Sequence, residues 1–453
     1  MRRRVLSLTG VLRAHYSARC SRHVGRGSPQ LRTGGARLYT APVPRKNGGA
    51  VRDAAVVSVA ALSAAVSTFL ITITAARALT HGDDASSYSE FVVFWSLLFG
   101  CYGIVVGIQQ ETTRSVRARA VRSQSGGAPV LLVALALGGA VAVVVGISGP
   151  LWSHRVLPLS SWAGPSAVAV GSVLYALYAA SLGAAGGSED WRGYSGLMVL
   201  DAVGRLGLVG LAAVLGARLV GVEAACVAVS LAAVLVLLSP RFRAVLTARA
   251  DRTFWPAVRT SAYAMASSTA SAVLVVGYPV LVSLLVRDPD PAELAATMTV
   301  VQLTRAPIML PLLAFQSVAV SAFVAKPRPQ LRDLAKPIGL VGAVGLVGAP
   351  LAAWLGPTVL RLLYGPVYVV SRTTFAVLVL AAMAIAMLTL TGTLALAIGG
   401  HRGYMAGWLL AAAAAVGLLL LPGQLPTVVE LSLCVAPLFG IAVHVLTIRY
   451  RPR

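Results

Sequence analysis

The sequence predicts an all-α integral membrane protein, with twelve transmembrane helices in two six-helix bundles related as parallel repeats around a central cleft. Three observations carry this prediction: a composition too apolar for a soluble globule, twelve apolar stretches of membrane-crossing length, and a spacing of those stretches that repeats. Of 453 residues, 57% are hydrophobic and 12% are charged, and the mean hydropathy is +0.80. Soluble domains carry roughly a quarter charged residues. A chain with half that charge cannot cover a globule of this size with polar surface, but it can face hydrocarbon.

The apolar stretches run over 54–76, 88–108, 129–148, 162–184, 196–215 and 219–238, then over 261–286, 296–323, 338–356, 374–399, 404–421 and 427–448. Most approach or exceed the ~20 residues that a helix needs to cross the hydrocarbon core. None shows the period-two alternation of a barrel strand. With the N-terminus inside, the segments 109–128, 185–195, 239–260, 324–337, 400–403 and 449–453 are cytoplasmic and hold 18 Lys and Arg. The segments then left outside hold 6: Arg77, Arg155, Arg218, Arg287, Arg361 and Arg372. The positive-inside rule therefore places both termini in the cytoplasm.

The starts of spans seven to twelve follow those of spans one to six by 207 to 212 residues. Six is an even number, so both halves enter the membrane from the same side and are related by an axis along its normal. The expected organisation is a basic disordered cytoplasmic tail over 1–53, an N-terminal bundle over 54–238, and a basic cytoplasmic linker over 239–260. A C-terminal bundle over 261–448 and a short cytoplasmic tail over 449–453 complete it.

The formal net charge is +23, yet Lys and Arg fall in short runs between apolar stretches, which sets membrane orientation and argues against nucleic acid as a partner. The first 52 residues hold twelve basic residues and no acid. An Arg- and Ser-biased transit peptide is the second reading of that stretch. Arg outnumbers Lys by 35 to 3, a bias of GC-rich genomes, so a bacterial plasma membrane is the expected location. Cys20, Cys101, Cys226 and Cys434 show no metal-site or disulfide spacing. No Gly-rich phosphate loop, Walker pattern or nucleophile elbow occurs. Neither a cofactor, a metal nor an enzymatic activity is expected.

Charged side chains deep in a membrane cost about 2.5–3.5 kcal/mol each on insertion scales, so each needs a reason. Asp201 and Arg205 in span five are four residues apart and share one helix face. They read either as an internal ion pair or as a proton or cation site at Asp201 tuned by Arg205. Arg305 in span eight has no acid within a helical turn and lies about 15 Å deep at 1.5 Å per residue. An unpaired Arg there suits a wet cavity and an anion; a partner acid on another helix, such as Asp201, is the competing reading. Pro307 and Pro311 follow it, and Pro279 and Gly277 interrupt span seven; these are hinge candidates, as are Gly345, Gly348 and Pro350. Arg77, at the end of span one, reads as a snorkelling interfacial cation or a guide for an anionic headgroup. Gln109, Gln110, Glu111 and Arg114 read as an interface cap.

Three stretches resemble the polysaccharide flippases of the multidrug/oligosaccharidyl-lipid/polysaccharide exporter superfamily: ARALTHGDDASSYSE over 76–90, LTRAPIMLPLLAFQSVAVSAFVA over 303–325, and LYGPVYVVSRTTFAVLVLAAMAIAMLTLTGTLALAIGGHR over 363–402. They resemble, respectively, that family's first helix end and loop, its eighth span with an early proline, and its loop, small-residue span and terminal G-x-R. The resemblance implies translocation of a polyprenyl-pyrophosphate-linked oligosaccharide to the outer leaflet by alternating access. It implies that Arg305, ahead of Arg205 and Arg77, contacts the pyrophosphate. Implied partners are membrane lipid, the lipid-linked glycan and other polysaccharide-assembly membrane proteins, with the chain itself a monomer. A multidrug or cation antiporter of the same fold, dependent on Asp201, is the alternative. A membrane glycosyltransferase or polymerase using Asp83 and Asp84 ranks third.

Overall fold

The computed structural model describes residues 47–122, 126–237, 243–324, 330–398 and 400–450. Its helices, in chain order, are α1 (Asn47–Leu79), α2 (Ser86–Arg122), α3 (Val130–Val156), α4 (Ala163–Gly187), α5 (Trp191–Val214), α6 (Leu219–Leu237) and α7 (Phe254–Val275). They continue with α8 (Tyr278–Leu285), α9 (Pro291–Val324), α10 (Ala335–Tyr364), α11 (Arg372–Ala397), α12 (His401–Leu419) and α13 (Leu425–Arg449). Among the described residues, β pairing is confined to the isolated bridges His81–Asp84 and Pro129–Arg249.

A helix lies over every predicted span. Nine described helices are long and apolar enough to cross a membrane, and ten if α7 and α8 form one span. The helices α6 and α9, over the two remaining predicted spans, are described only in part. The tail expected over 1–53 lies outside the described residues up to residue 46; from Asn47 the chain is already α1.

The one predicted span that differs in form is the seventh. Expected as continuous over 261–286, it is broken after Val275, and α7 and α8 meet at 64°. The cause is local: Pro279 has no N–H to continue the ladder, and its ring disfavours helical backbone in the residue before it. Gly277 caps α8 with Pro279 in its first turn.

Burial ranks the helices. Two thirds of the apolar window of α2 and of α11 is buried, and 61% of that of α4, against 22% for α1 and 17% for α10. The N-terminal bundle is organised around α2 and α4, with α3 and α6 against α4 and α5 against α6; the C-terminal bundle is organised around α11, with α9, α10 and α13 against it and α12 against α13. Large apolar side chains such as Val144, Ile147, Leu151, Leu346 and Trp354 remain exposed. Stripes of that kind on long helices are what hydrocarbon covers.

The two bundles meet where α2 packs on α7, α8 and α9. This seam is closed by small residues: a Cβ on Gly103 would sit 2.9 Å from Cβ of Ala272, and one on Gly107 would collide with the backbone of Met265. Close backbone approach of this kind is how helices associate without a hydrophobic drive between them.

Candidate functional site

Four helices of the N-terminal bundle enclose a cavity of about 280 Å³. Ser67 and Ile71 of α1, Trp95 and Phe99 of α2, Tyr175 and Tyr178 of α4, and Tyr194, Asp201 and Arg205 of α5 line it. The aromatic wall follows from spacing on α2. Phe91, Trp95, Phe99 and Tyr102 recur every three or four residues and so stack along one face. Trp95 stacks on Phe99 with ring centroids 4.3 Å apart, and Tyr102 stacks on Tyr175 at 3.8 Å.

At the end of this wall Arg205 and Asp201 meet at 2.5 Å. Arg205 also donates to the carbonyl of Cys226 on α6. Its guanidinium lies 5.3 Å from the Phe99 ring centroid and 5.8 Å from that of Tyr102. The carboxylate and the nearest aromatic faces, which together would attract a foreign cation, are therefore occupied by a resident one. Arg205 is 2% exposed.

Arg305 belongs to the C-terminal bundle and is 8% exposed. Its Nη1 donates to the carbonyls of Leu274 and Val275, at 3.3 and 3.1 Å. These carbonyls close the last turn of α7, and in an unbroken helix the Val275 oxygen would accept from residue 279, a proline. Arg305 supplies the donor that Pro279 lacks, at the negative end of the α7 dipole. Ser96 of α2 treats the next freed carbonyl in the same way, donating to Val276 at 2.9 Å. The guanidinium also lies 5.8 Å from the Tyr278 ring centroid. Among the described residues its Nη2 has no hydrogen-bond partner and no acid forms an ion pair with it. Asp201 is paired with Arg205 instead.

Of the hinge candidates, Gly277 and Pro279 form the break itself. Pro307 is exposed within α9, and Pro311 lies in the same helix, while α10 runs on through Pro350.

Arg77 joins the bundles at the end expected to face outward. Its Nε donates to the Leu363 carbonyl at 2.9 Å, and its Nη2 to that of Leu362, in the last turn of α10. Around it, Thr72 hydrogen-bonds Tyr364 at 3.0 Å, Thr80 bonds Tyr368 at 2.5 Å, and Tyr88 bonds Thr299 at 3.1 Å. At the opposite end, Arg114 pairs with Glu111 at 2.6 Å and with Asp251 of the linker at 3.3 Å. Asp84 accepts from the Ser86 N–H at 2.9 Å at the start of α2. Among the described residues no three His, Cys, Asp or Glu gather as metal ligands.

The aromatic face of α2 is legible in the 91, 95, 99, 102 spacing of the sequence, though none of these residues is among the predicted site residues. Three buried ionisable groups, Glu90, Glu223 and His444, are absent from that prediction too. His444 is internally satisfied, with Thr391 at 3.1 Å from Nδ1 and the Tyr404 carbonyl at 3.1 Å from Nε2.

No protein-family model matches the chain. It is 36% identical over 446 residues to the uncharacterized protein Rv1510 of Mycobacterium tuberculosis (strain ATCC 25618 / H37Rv), covering 97% of this chain and 99% of that one. It is also 36% identical over 416 residues to Rv3630 of the same strain, covering 89% and 94%. The chain belongs to the Rv1510/Rv3630 family. Solved structures extend the fold beyond that family. The inward-facing form of a multidrug resistance MATE family transporter of the MOP superfamily superposes with a TM-score of 0.68 at 15% identity, covering 87% of this chain and 98% of that one. The outward-facing form of a MATE transporter gives 0.61 at 14%, covering 88% and 95%. A MOP superfamily transporter from Pyrococcus furiosus Vc1 (DSM3638), described as having a binding pocket of reverse polarity, gives 0.64 at 15%, covering 88% and 96%. The fold is thus that of the MATE transporters, two helical bundles known in both inward- and outward-facing forms.

Proposed function

We propose that this protein is a flippase that moves a polyprenyl-pyrophosphate-linked oligosaccharide from the inner to the outer leaflet of a bacterial plasma membrane, by alternating access. The observation that carries this reading is Arg305: a buried guanidinium with a free Nη2 and no acidic partner among the described residues. A pyrophosphate crossing a low-dielectric path needs a fixed cation, and Arg offers it a forked donor set. Asp201 is held by Arg205 and so is not free to receive a cationic cargo. The aromatic wall of the cavity in the N-terminal bundle offers flat apolar faces to the C–H faces of sugar rings. The lipid tail remains in the bilayer, both termini are cytoplasmic, and the monomer is the working unit.

The test is to analyse lipid-linked intermediates and surface glycan in a deletion strain complemented with wild type or Arg305→Gln. Glutamine keeps an N–H donor for the α7 carbonyls but removes the charge, so it separates anion binding from support of the helix break. Intermediates held on the cytoplasmic leaflet and cleared by wild type alone support the assignment. Normal export by folded Arg305→Gln contradicts the headgroup role.

The second reading is multidrug export, favoured by what the MATE neighbours are named for. It predicts dye resistance that depends on Asp201. Dye accumulation equal in deletion and wild-type strains counts against it.

A further inference from the structure

Two buried carboxylates lie apart from everything above. Glu90, in the second turn of α2, gives both oxygens to the connection between α3 and α4. It accepts from the N–H of Leu159 at 2.6 Å, the N–H of Ser160 at 2.6 Å and the Ser160 hydroxyl at 2.7 Å. Ser161, just beyond, holds a positive φ of 47° that turns the loop over this carboxylate. Three donors thus converge on this one carboxylate.

Glu223, in the second turn of α6, is surrounded differently. It is 1% exposed, and among the described residues neither of its carboxylate oxygens has a hydrogen-bond partner. Its polar neighbours are Glu90 and Ser160. The single hydroxyl hydrogen of Ser160 is already directed to Glu90, so Ser160 can meet Glu223 only as an acceptor. An ionised Glu223 would be a second buried anion beside the first, facing lone pairs and no donor. Such a group takes up a proton instead.

His154 and Arg155, at the end of α3 beside the same loop, are exposed and form no ion pair among the described residues. Arg205 of α5 is paired with Asp201 and donates to the carbonyl of Cys226, one turn further along α6. No charged residue occurs in α4. Arg218, on the flank of α6, is exposed and forms no ion pair among the described residues. The short helix Arg243–Leu246 follows the opposite end of α6. A metal cation fits the donor set poorly, because three N–H and O–H groups already turn their positive ends toward Glu90.

We propose that Glu223, buried beside Ser160 and Glu90 with no hydrogen-bond partner among the described residues, is a proton-binding carboxyl of the N-terminal bundle, while the Ser160 hydroxyl stays directed to Glu90. Glu223 carries the acidic proton of the site, and the Ser160 hydroxyl keeps its own hydrogen. The bundle then has a titratable carboxyl that its packing shields from bulk water. Its use as a coupling group rests on the transporter reading, but the site itself does not.

Infrared spectroscopy of the purified full-length protein in detergent tests the site directly, without transport. Wild type at neutral pH should show a protonated-carboxyl C=O stretch that shifts in deuterium oxide. In Glu223→Gln that band should be lost while the thermal midpoint is retained, since the amide copies the neutral acid. In Glu90→Gln, with the neighbouring charge gone, the Glu223 band should disappear at lower pH than in wild type. If Glu223→Gln does not yield folded protein, Glu223→Asp should move the band rather than remove it. A wild-type spectrum without the band at neutral pH, or a band unaltered by either substitution at position 223, overturns the proposal.

Discussion

At the scale of single residues, a buried charge in this protein is held by whatever its own helix and its neighbours leave unsatisfied. Arg205 answers Asp201 and a carbonyl of α6, and Arg305 answers two carbonyls freed by the break between α7 and α8. Removing one member of a buried ion pair leaves the other uncompensated, which costs about 3–5 kcal/mol in soluble proteins. Asp201 is partly exposed to the cavity, with side-chain exposure of 16%, so Asp201→Asn should cost toward the lower end of that range, about 3 kcal/mol. Thermal unfolding in detergent checks this, and pairing Asp201→Asn with Arg205→Met should restore most of the loss. The sequence revealed Asp201 and Arg205 as a pair because they are four apart on one helix. It could not reveal the partners of Arg305, because Leu274 and Val275 contribute backbone oxygens, and any residue type carries those. Glu223 was hidden for a related reason: at the start of an apolar span it reads as an interfacial acid, and only packing shows that Glu90 and Ser160 are its surroundings.

At the scale of elements, the linker is tied to the end of α2. Ala128 donates to the Arg252 carbonyl at 2.8 Å, Ala250 donates to the Ala128 carbonyl at 2.8 Å, and Arg249 donates to the Gly127 carbonyl at 3.0 Å. Gly127 has a φ of +96°, and a Cβ there would run into the carbonyl of Ala250. Asp251 is the polar centre of this joint. Burial acts to raise its carboxyl, but hydrogen bonds from Ser115 at 2.7 Å and from Arg114, with the Arg114 charge, outweigh it and hold the group below the usual carboxylate range. A depressed folded-state pKa contributes stability that is complete above the unfolded value of about 3.9 and is lost as pH falls through the folded value. Asp251→Asn should therefore lower stability at neutral pH by about 1 kcal/mol. It should also flatten the acid side of the stability profile below about pH 4, read as thermal midpoint against pH. An equally steep acid limb in the variant would assign that limb to other groups. Composition and charge marked 239–260 as a polar linker. Its pairing with the α2–α3 loop rests on backbone hydrogen bonds, which leave no trace in residue type beyond the glycine.

At the scale of the whole molecule, the two bundles touch along α2 and α7 and are joined at the α1–α10 end by Arg77 and its tyrosines. Span positions were legible because hydrophobic length is a one-dimensional property. The break in span seven was marked by Gly277 and Pro279, but its 64° angle and the three carbonyls it frees are three-dimensional. If the bundles must separate during the cycle, a covalent tie across the seam stops it. Gly103→Cys with Ala272→Cys, in a background lacking the native cysteines, should form a disulfide once the helices part by about 1 Å, because the Cβ atoms here would lie 2.9 Å apart and a disulfide spans roughly 3.8 Å. Oxidation should abolish transport and reduction should restore it; full activity in the oxidised, cross-linked protein would exclude a rocking motion at this seam. The most direct measurement of the central claim is made in vesicles reconstituted with purified protein and a labelled polyprenyl-pyrophosphate oligosaccharide, scoring the fraction protected from a membrane-impermeant glycan-oxidising reagent. Wild type should lower that protected fraction below its value in protein-free vesicles, and Arg305→Gln should leave it unchanged. Protection in wild-type vesicles equal to that in protein-free vesicles would contradict the flippase assignment.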